Sequence, residues 1–456
     1  MSNQSILIGW ATTSITPERP VQLAGQFHER ISQGVHDPLT ATALALDQGG
    51  EQAVIVSCDL LYTSREVHEK VRARLASGPA GLDPQKLFLA ATHTHTAPVA
   101  LDEQWYPAPP PGVMAPAEYI EFLAARLAAL VQQAWQARRP GGVSWALGHA
   151  VIGHNRRVVY DDGTAVMYGS TDTPHFRHLE GGNDHGVEML FTWDEAGALS
   201  GVVINPACPS QIVEGKSYIS ADYWSEVRRE LRARHGADLF VLPLTSAAGD
   251  QSPRDLVRRK RGEPDMHDEP GLREIGLRLA EAVDRVLPAA RAEVQREPVL
   301  KHIVTPVPLP ARRVTAQEAA EAQARLEQLI AAQPAPRSGE GSMLRQMHKL
   351  LRRYADQGEN LTYDMELHVL RLGDVALATN PCELFLDYGL RIKARSRALQ
   401  TFIVQLATDQ IGYLPTAKAV AGGGYGALVT NGLVGPEGGE VLVERTVELI
   451  NSLWPA

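Results

Sequence analysis

Apolar and polar positions divide this chain into short buried runs, amphipathic stretches and polar connections. Residues 5–10 (SILIGW) predict a first strand, closed by the turn Ser14-Ile15-Thr16-Pro17. Residues 53–59 (AVIVSCD) are apolar at almost every position and end on a carboxylate, which predicts a strand buried on both faces. Residues 86–91 (KLFLAA) repeat that pattern. Val67, Val71 and Leu75 share one face of a helix over 64–76. Further helices are predicted over 117–138, 222–235, 272–286, 315–332, 343–356 and 437–453. Runs 187–193 and 199–205 flank Asp194-Glu195-Ala196-Gly197 and predict a β-hairpin, as do 365–372 and 375–379 around Gly373-Asp374. Residues 238–244, 300–309 and 402–407 predict more strands. Between these elements, 21–37 reads as an irregular loop. Residues 106–116 carry five prolines, which neither a helix nor a central strand continues. This stretch is a rim or lid, or a plain surface loop.

Strands and helices mix without strict alternation, which predicts one α/β domain over 1–456 with mixed β-sheets flanked by helices. The helices at 315–332 and 343–356, separated by a Pro/Gly/Ser-rich break, predict a helical hairpin inserted over 313–357. Its basic face reads as solvated surface. Polar residues recur where buried strands end: Asp59, His93 and His95, Asn205 and Cys208, Asp250 and Ser252, and Glu383. Ligands of open α/β sheets bind outside the carboxyl ends of strands, so the recurrence predicts a single site.

Composition narrows the partners. With 44 basic and 53 acidic side chains the formal charge is −9, which argues against nucleic acid or an anionic membrane as the main partner. No apolar run reaches the ~18 residues of a transmembrane helix. The N-terminus lacks a basic region, and residues 6–10 are too short for a signal peptide. Three cysteines, Cys58, Cys208 and Cys382, do not make a disulfide framework. The expectation is a cytoplasmic protein with no stable membrane association.

Four features carry chemistry. In an extended chain His93 and His95 would project to the same side where the strand stops, as a metal or proton-transfer pair. The plainer alternative is two hydrogen-bonded histidines under a loop. Cys208, after a buried strand, is a thiolate metal ligand or a small core residue. Glu383 is a metal-bound or paired carboxylate, or an acid favoured by a helix N-terminus. Gly249-Asp250-Gln251-Ser252-Pro253 presents a serine on a tight turn, yet no Gly-x-Ser-x-Gly elbow exists.

Taken in order, these motifs resemble the neutral ceramidases, which are zinc-dependent amidases. Thr92-His93-Thr94-His95-Thr96-Ala97-Pro98 is similar to the family's Thr-His-Thr-His-Ser-Gly-Pro. Gly153-His154-Asn155-Arg156-Arg157, Ser220-Ala221-Asp222-Tyr223, Gly249 to Pro253, Asn380 to Phe385 and Gly412-Tyr413-Leu414-Pro415-Thr416 each resemble a family segment in the same order. The resemblance implies a ceramidase-like catalytic domain in which His93, Glu383 and Tyr413 bind zinc. It implies that His95 and Arg156 line the site and that Ser252 is a nucleophile or a substrate contact. Tyr425, in Gly424-Tyr425-Gly426, sits near the family's Tyr-Glu but lacks the Glu.

The chain departs from the family at Pro206-Ala207-Cys208-Pro209-Ser210, where Cys208 replaces a histidine ligand. No immunoglobulin-like C-terminal domain is expected. The resulting expectation is a zinc-dependent hydrolase of an amide in a small soluble substrate. The alternatives are a non-catalytic ligand-binding protein on the same scaffold, an esterase or lactonase, or an enzyme using Cys208 as nucleophile. Long-chain ceramide is expected to be a poor substrate, because Trp105-Tyr106 and the proline loop are the only small aromatic surface for a lipid interface.

Overall fold

Side-chain alternation along the strands sorts the apolar residues into one central layer and three outer cores. The computed structural model describes residues 5–101, 106–263, 265–359 and 361–455. Strands β1 (Leu7–Ser14), β2 (Thr40–Gln48) and β3 (Glu51–Cys58) pair antiparallel, and β4 (Leu87–Ala91) joins β3 in parallel. Ala43, Ala45, Val54, Val56, Leu87 and Leu89 pack with helices α1 (Arg65–Leu75) and α2 (Pro116–Gln136). The alternate residues Leu44, Leu46, Ile55 and Phe88 join the central layer.

Two further sheets repeat this design. β5 (Gly142–His149), β6 (Gly186–Trp193) and β7 (Leu199–Pro206) are antiparallel, and β8 (Phe240–Pro243) is parallel to β7. Their outer face packs on α3 (Tyr223–His235) and α4 (Asp268–Ala292). In the third sheet, β9 (Leu300–Pro310) leads into two helices, α5 (Ala316–Ala332) and α6 (Gly339–Asp356), before the chain returns as β10 (Thr362–Leu372). β11 (Val375–Thr379) follows antiparallel. Helix α7 (Leu386–Arg395) then precedes β12 (Gln400–Val404), which is parallel to β11. Helix α7 and the C-terminal α8 (Pro436–Ser452) cover this sheet. Trp10, Trp145, Leu190, Val203, Leu370 and Phe402 meet where the three inner faces converge.

This is the mixed-sheet α/β architecture that the sequence predicts, with helices outside. Each sheet ends on one parallel pair, and the loops leaving β4, β7, β8, β11 and β12 carry the chemistry-bearing motifs. Several elements differ from expectation. β2, β5 and α7 were not predicted, and α4 begins at Asp268 rather than 272. Pro270 sits in the first turn of α4, where its missing N–H costs nothing. Asp59 belongs to the framework: its carboxylate takes both terminal nitrogens of Arg228 from α3, at 2.8 and 2.9 Å. Residues 102–105, including Trp105, lie outside the described residues. Tyr106 is buried and donates its hydroxyl to the Gln26 carbonyl. No described helix is long and apolar enough to cross a membrane.

Candidate active site

The backbone past β4 does not stay extended. Thr92 N donates to the Cys58 carbonyl, and His93 N and Thr94 N both donate to that of Leu60. His93 takes a left-handed conformation with φ 67°. Strand alternation therefore does not aim His93 and His95, contrary to the sequence-based expectation; their hydrogen bonds do. His93 Nδ1 donates to the Leu61 carbonyl at 2.9 Å, and His95 Nδ1 donates to that of Gly25 at 3.0 Å. The rings stand 87° apart with centroids at 4.9 Å. A carbonyl can only accept, so in each neutral ring Nε2 carries a lone pair. The two Nε2 atoms face each other at 3.4 Å. Glu383 Oε2 lies 3.5 Å from His93 Nε2. His93 Nε2 thus lies within 3.5 Å of two other acceptors, His95 Nε2 and Glu383 Oε2, and a cation or a shared proton at His93 would relieve that crowding.

Two close approaches leave room for only glycine. A Cβ on Gly25, at φ 97°, would lie 2.5 Å from the His95 ring. A Cβ on Gly249 would lie 2.3 Å from the Glu383 carbonyl oxygen, which lets the 249–252 loop run against the Glu383 backbone. Glu383 and Tyr413 sit opposite each other in a two-residue parallel pairing. Burial acts to raise the Glu383 pKa, but His93, Arg156 and the Tyr413 hydroxyl outweigh it and hold the carboxyl below its usual range. Burial, followed by the Glu383 charge, pushes the Tyr413 phenol well up, so it is a neutral donor to that carboxylate. Burial, then His93 and Arg30, drives His95 well below an ordinary histidine. His95 is thus neutral near pH 7, and its Nε2 accepts from the Gln211 amide at 2.8 Å.

Arg156 stands behind this wall. Its Nη1 donates to Gln211 Oε1 (3.0 Å) and the Tyr168 hydroxyl (3.2 Å), and its Nη2 to the Gly249 carbonyl (2.9 Å) and the Tyr413 hydroxyl (3.3 Å). It therefore fixes Gln211, which orients His95, and Tyr413, which orients Glu383. Ser252 is fully buried; its Oγ accepts from the Arg254 N–H at 3.2 Å and the Tyr168 hydroxyl at 3.3 Å. Other motif residues are pins. Thr94 and Thr96 donate to the Ser220 carbonyl, and Asp250 accepts from Asn155 and from Leu386 N at the start of α7.

A cavity of about 100 Å³ opens over His93, His95, Glu383, Tyr413 and Tyr425. Leu61, Tyr62, Leu101 and Leu406 form its apolar side. Phe27 packs edge-on against Tyr425 (5.3 Å), which packs likewise against Tyr413 (5.6 Å). Of the residues predicted from sequence, five meet here. Arg156 and Ser252 do not line the cavity. Cys208 lies in the core under α3, and its Sγ donates to the Ile152 carbonyl at 3.2 Å. Burial raises its thiol pKa well above normal. The structure does not bring Cys208 to the other three expected zinc ligands. Among the described residues no group of three or more His, Cys, Asp and Glu side chains is placed to hold a metal ion. The available donor set is one imidazole nitrogen and one carboxylate, which are ordinary zinc donors, with the Tyr413 phenol and His95 alongside.

Sequence reasoning missed Gln211, Tyr168 and the Gly25–Phe27 wall. Gln211 lies three residues past Cys208, where the Pro-Ala-Cys-Pro-Ser motif drew the eye to the thiol. Tyr168, at φ 57°, follows no readable pattern.

No protein-family model matches the sequence, and no curated protein matches it significantly. Solved structures do match. A ceramidase complexed with C2 aligns over 98% of this chain and 75% of its own, with a TM-score of 0.75 at 19% identity. The neutral ceramidase from Pseudomonas aeruginosa aligns over 98% of this chain and 74% of its own, with a TM-score of 0.74 at 21% identity. The chain has a divergent neutral-ceramidase-like fold.

Proposed function

We propose that this chain is a zinc-dependent hydrolase of an amide bond in a small soluble substrate. The observation that carries the reading is His93 Nε2 set 3.5 Å from the Glu383 carboxylate, with Tyr413 paired opposite Glu383 and His95 beside His93, at one cavity of a ceramidase-like fold. His93, Glu383 and Tyr413 would hold the ion. When bound, zinc supplies a Lewis acid for the scissile carbonyl and lowers the pKa of water.

The chain's own residues supply the rest. His95 is kept neutral, so its Nε2 is free to take a proton and return it to the leaving amine. Gln211 yields its hydrogen bond as that happens. Glu214 Oε2, 3.9 Å from His95 Nδ1, offsets the imidazolium charge. Arg156 is a positioning residue: it locks Gln211 and Tyr413 and draws on no substrate atom. Ser252, held between Tyr168 and the 254 amide, fixes Tyr168 on the far side of Arg156. Tyr425 closes the cavity wall beside Tyr413. The three cysteines are buried and free, in keeping with a cytoplasmic setting.

The pairing of Cys208 with Ile152 sets one expectation. Cys208→Ala should leave zinc content and activity unchanged, and zinc X-ray absorption on the unaltered protein should show nitrogen and oxygen neighbours alone. A sulfur at about 2.3 Å would contradict this.

Cavity size sets another. About 100 Å³ lies below the ~300–1,000 Å³ of sites for drug-sized ligands. N-butanoyl amines should turn over with a kcat/KM at least about tenfold that of long-chain ceramide in detergent, since a cavity of about 100 Å³ with Leu61, Tyr62, Leu101 and Leu406 on its apolar side offers little contact to replace the membrane around two long chains. Faster turnover of the ceramide than of every soluble amide would overturn the substrate assignment. Among the described residues no third His, Cys, Asp or Glu completes a metal site, which favours a second reading, a binding protein. Stoichiometric zinc without hydrolysis of any amide or ester would select it.

A further inference from the structure

The hairpin of α5 and α6 leaves the third sheet and returns to it at adjacent positions. β9 and β10 stay paired to their ends, with Pro310 opposite Thr362, and Ala311 N donates to the Leu361 carbonyl at 2.9 Å. The two helices share a small core of Ala319, Ala322 and Leu350 that takes in Val429 from the body. The hairpin thus adds nothing to the pairing of the sheet it interrupts.

Polar contacts lay it across the site instead. Ahead of α6, Arg337 pairs with Glu29 and donates to the Ala108 carbonyl at 2.8 Å, while Glu29 N donates to the Arg337 carbonyl at 3.0 Å. In the first turn of α6, Ser342 Oγ donates to the carbonyl of Phe27, a wall residue of the first cavity. At the far end of α6, Arg353 donates to the carbonyls of Val429 (3.0 Å) and Gly432 (2.9 Å). Gly432 in turn bridges to Gly412, next to Tyr413. Between these anchors Gln346 and Leu350 wall a second chamber of about 320 Å³, which shares Glu383, Gln410, Tyr413 and Tyr425 with the first cavity.

Resting on the amidase reading above, we infer that the α5–α6 hairpin is a cap that sets the size limit of the substrate. One end of α6 backs the Phe27 wall and its middle walls the adjoining chamber, so a substrate held at Glu383 meets α6 as it lengthens. The hairpin supplies none of the proposed zinc ligands, so removing it should widen the range of amides bound and leave the metal in place.

The excision is geometrically simple. Replacing residues 312–360 by Asn-Gly joins Ala311 to Leu361 through a two-residue turn suited to antiparallel strands. Gln346→Trp, at a half-buried position, narrows the chamber in the full chain. Two amide series are followed by calorimetric binding and by amine release with zinc present: N-acylethylamines from butanoyl to dodecanoyl, and N-butanoylalkylamines from ethyl to dodecyl. In the unaltered protein, affinity should fall about tenfold before the longest members, the scale of overfilling a packed site. The excised protein should lose that fall in at least one series with its zinc content unchanged, and Gln346→Trp should bring it to shorter chains in the same series. Should the excised protein not fold, Gln346→Trp decides alone. No fall in the unaltered protein, or the same limiting length in Gln346→Trp, would overturn the cap. A limit that shifts as expected, with no amine released from any amide, would uphold the cap and overturn the amidase reading instead.

Discussion

Replacing His93 or Glu383 by alanine is expected to remove bound zinc and lower amide hydrolysis by about 10³-fold or more, with the fold intact. The size follows from the several kcal/mol that a Lewis acid contributes to such a transition state. The fold should survive because these side chains hold little of it. His93 makes one side-chain bond to the framework, at Leu61, and Glu383 is a partly buried carboxylate whose desolvation the protein bears. Tyr413→Phe should fall between these variants and the unaltered protein, because its ring still packs between Tyr425 and the Arg156 guanidinium. Elemental analysis with a thermal melt reads both halves of the expectation. Full zinc content in both alanine variants would place the metal elsewhere.

Loss of Arg228 is expected to be the most damaging change to stability. Asp59 is fully buried and accepts five bonds: two from Arg228, one from Thr40 N at 2.8 Å, one from the Thr40 hydroxyl at 2.9 Å and a long one from the Thr92 hydroxyl, beside His93, at 3.5 Å. Arg228→Ala leaves this carboxylate buried with its charge unpaired, at a cost of about 3–5 kcal/mol. The double variant Asp59→Asn/Arg228→Met removes both charges and should recover a large part of that loss. Urea unfolding midpoints at constant m-value measure the difference. A cost below about 1 kcal/mol in Arg228→Ala would mean that water reaches the pair.

The strands read most clearly from the sequence are those buried on both faces, such as β3 and β4, because their apolar runs are continuous. β2, with the sequence TATALALDQ, escaped notice since one of its faces is built from alanine, which signals burial weakly. His93, His95 and Glu383 were legible as polar groups at strand ends, Tyr413 and Tyr425 only through the family resemblance, and the parallel pair closing each sheet explains why those ends converge. Asp59 met the same criterion yet serves α3 through Arg228, which no local pattern discloses. Cys208 was open between a ligand and a small core residue in the sequence, and the chain turns its thiol into the core toward Ile152. The tautomers of His93 and His95 depend on carbonyls from residues 61 and 25, and the orientation of His95 on Gln211. These are long-range contacts that emerge only once the sheets assemble.

The most direct test is a zinc titration of metal-stripped protein, with metal binding and release of amine from an N-butanoyl amine followed together. The account predicts that activity rises linearly and levels off at one zinc per chain, and that His93→Ala shows neither binding nor turnover. Turnover that is complete before zinc is added, or one bound zinc with no turnover of any amide, would contradict it.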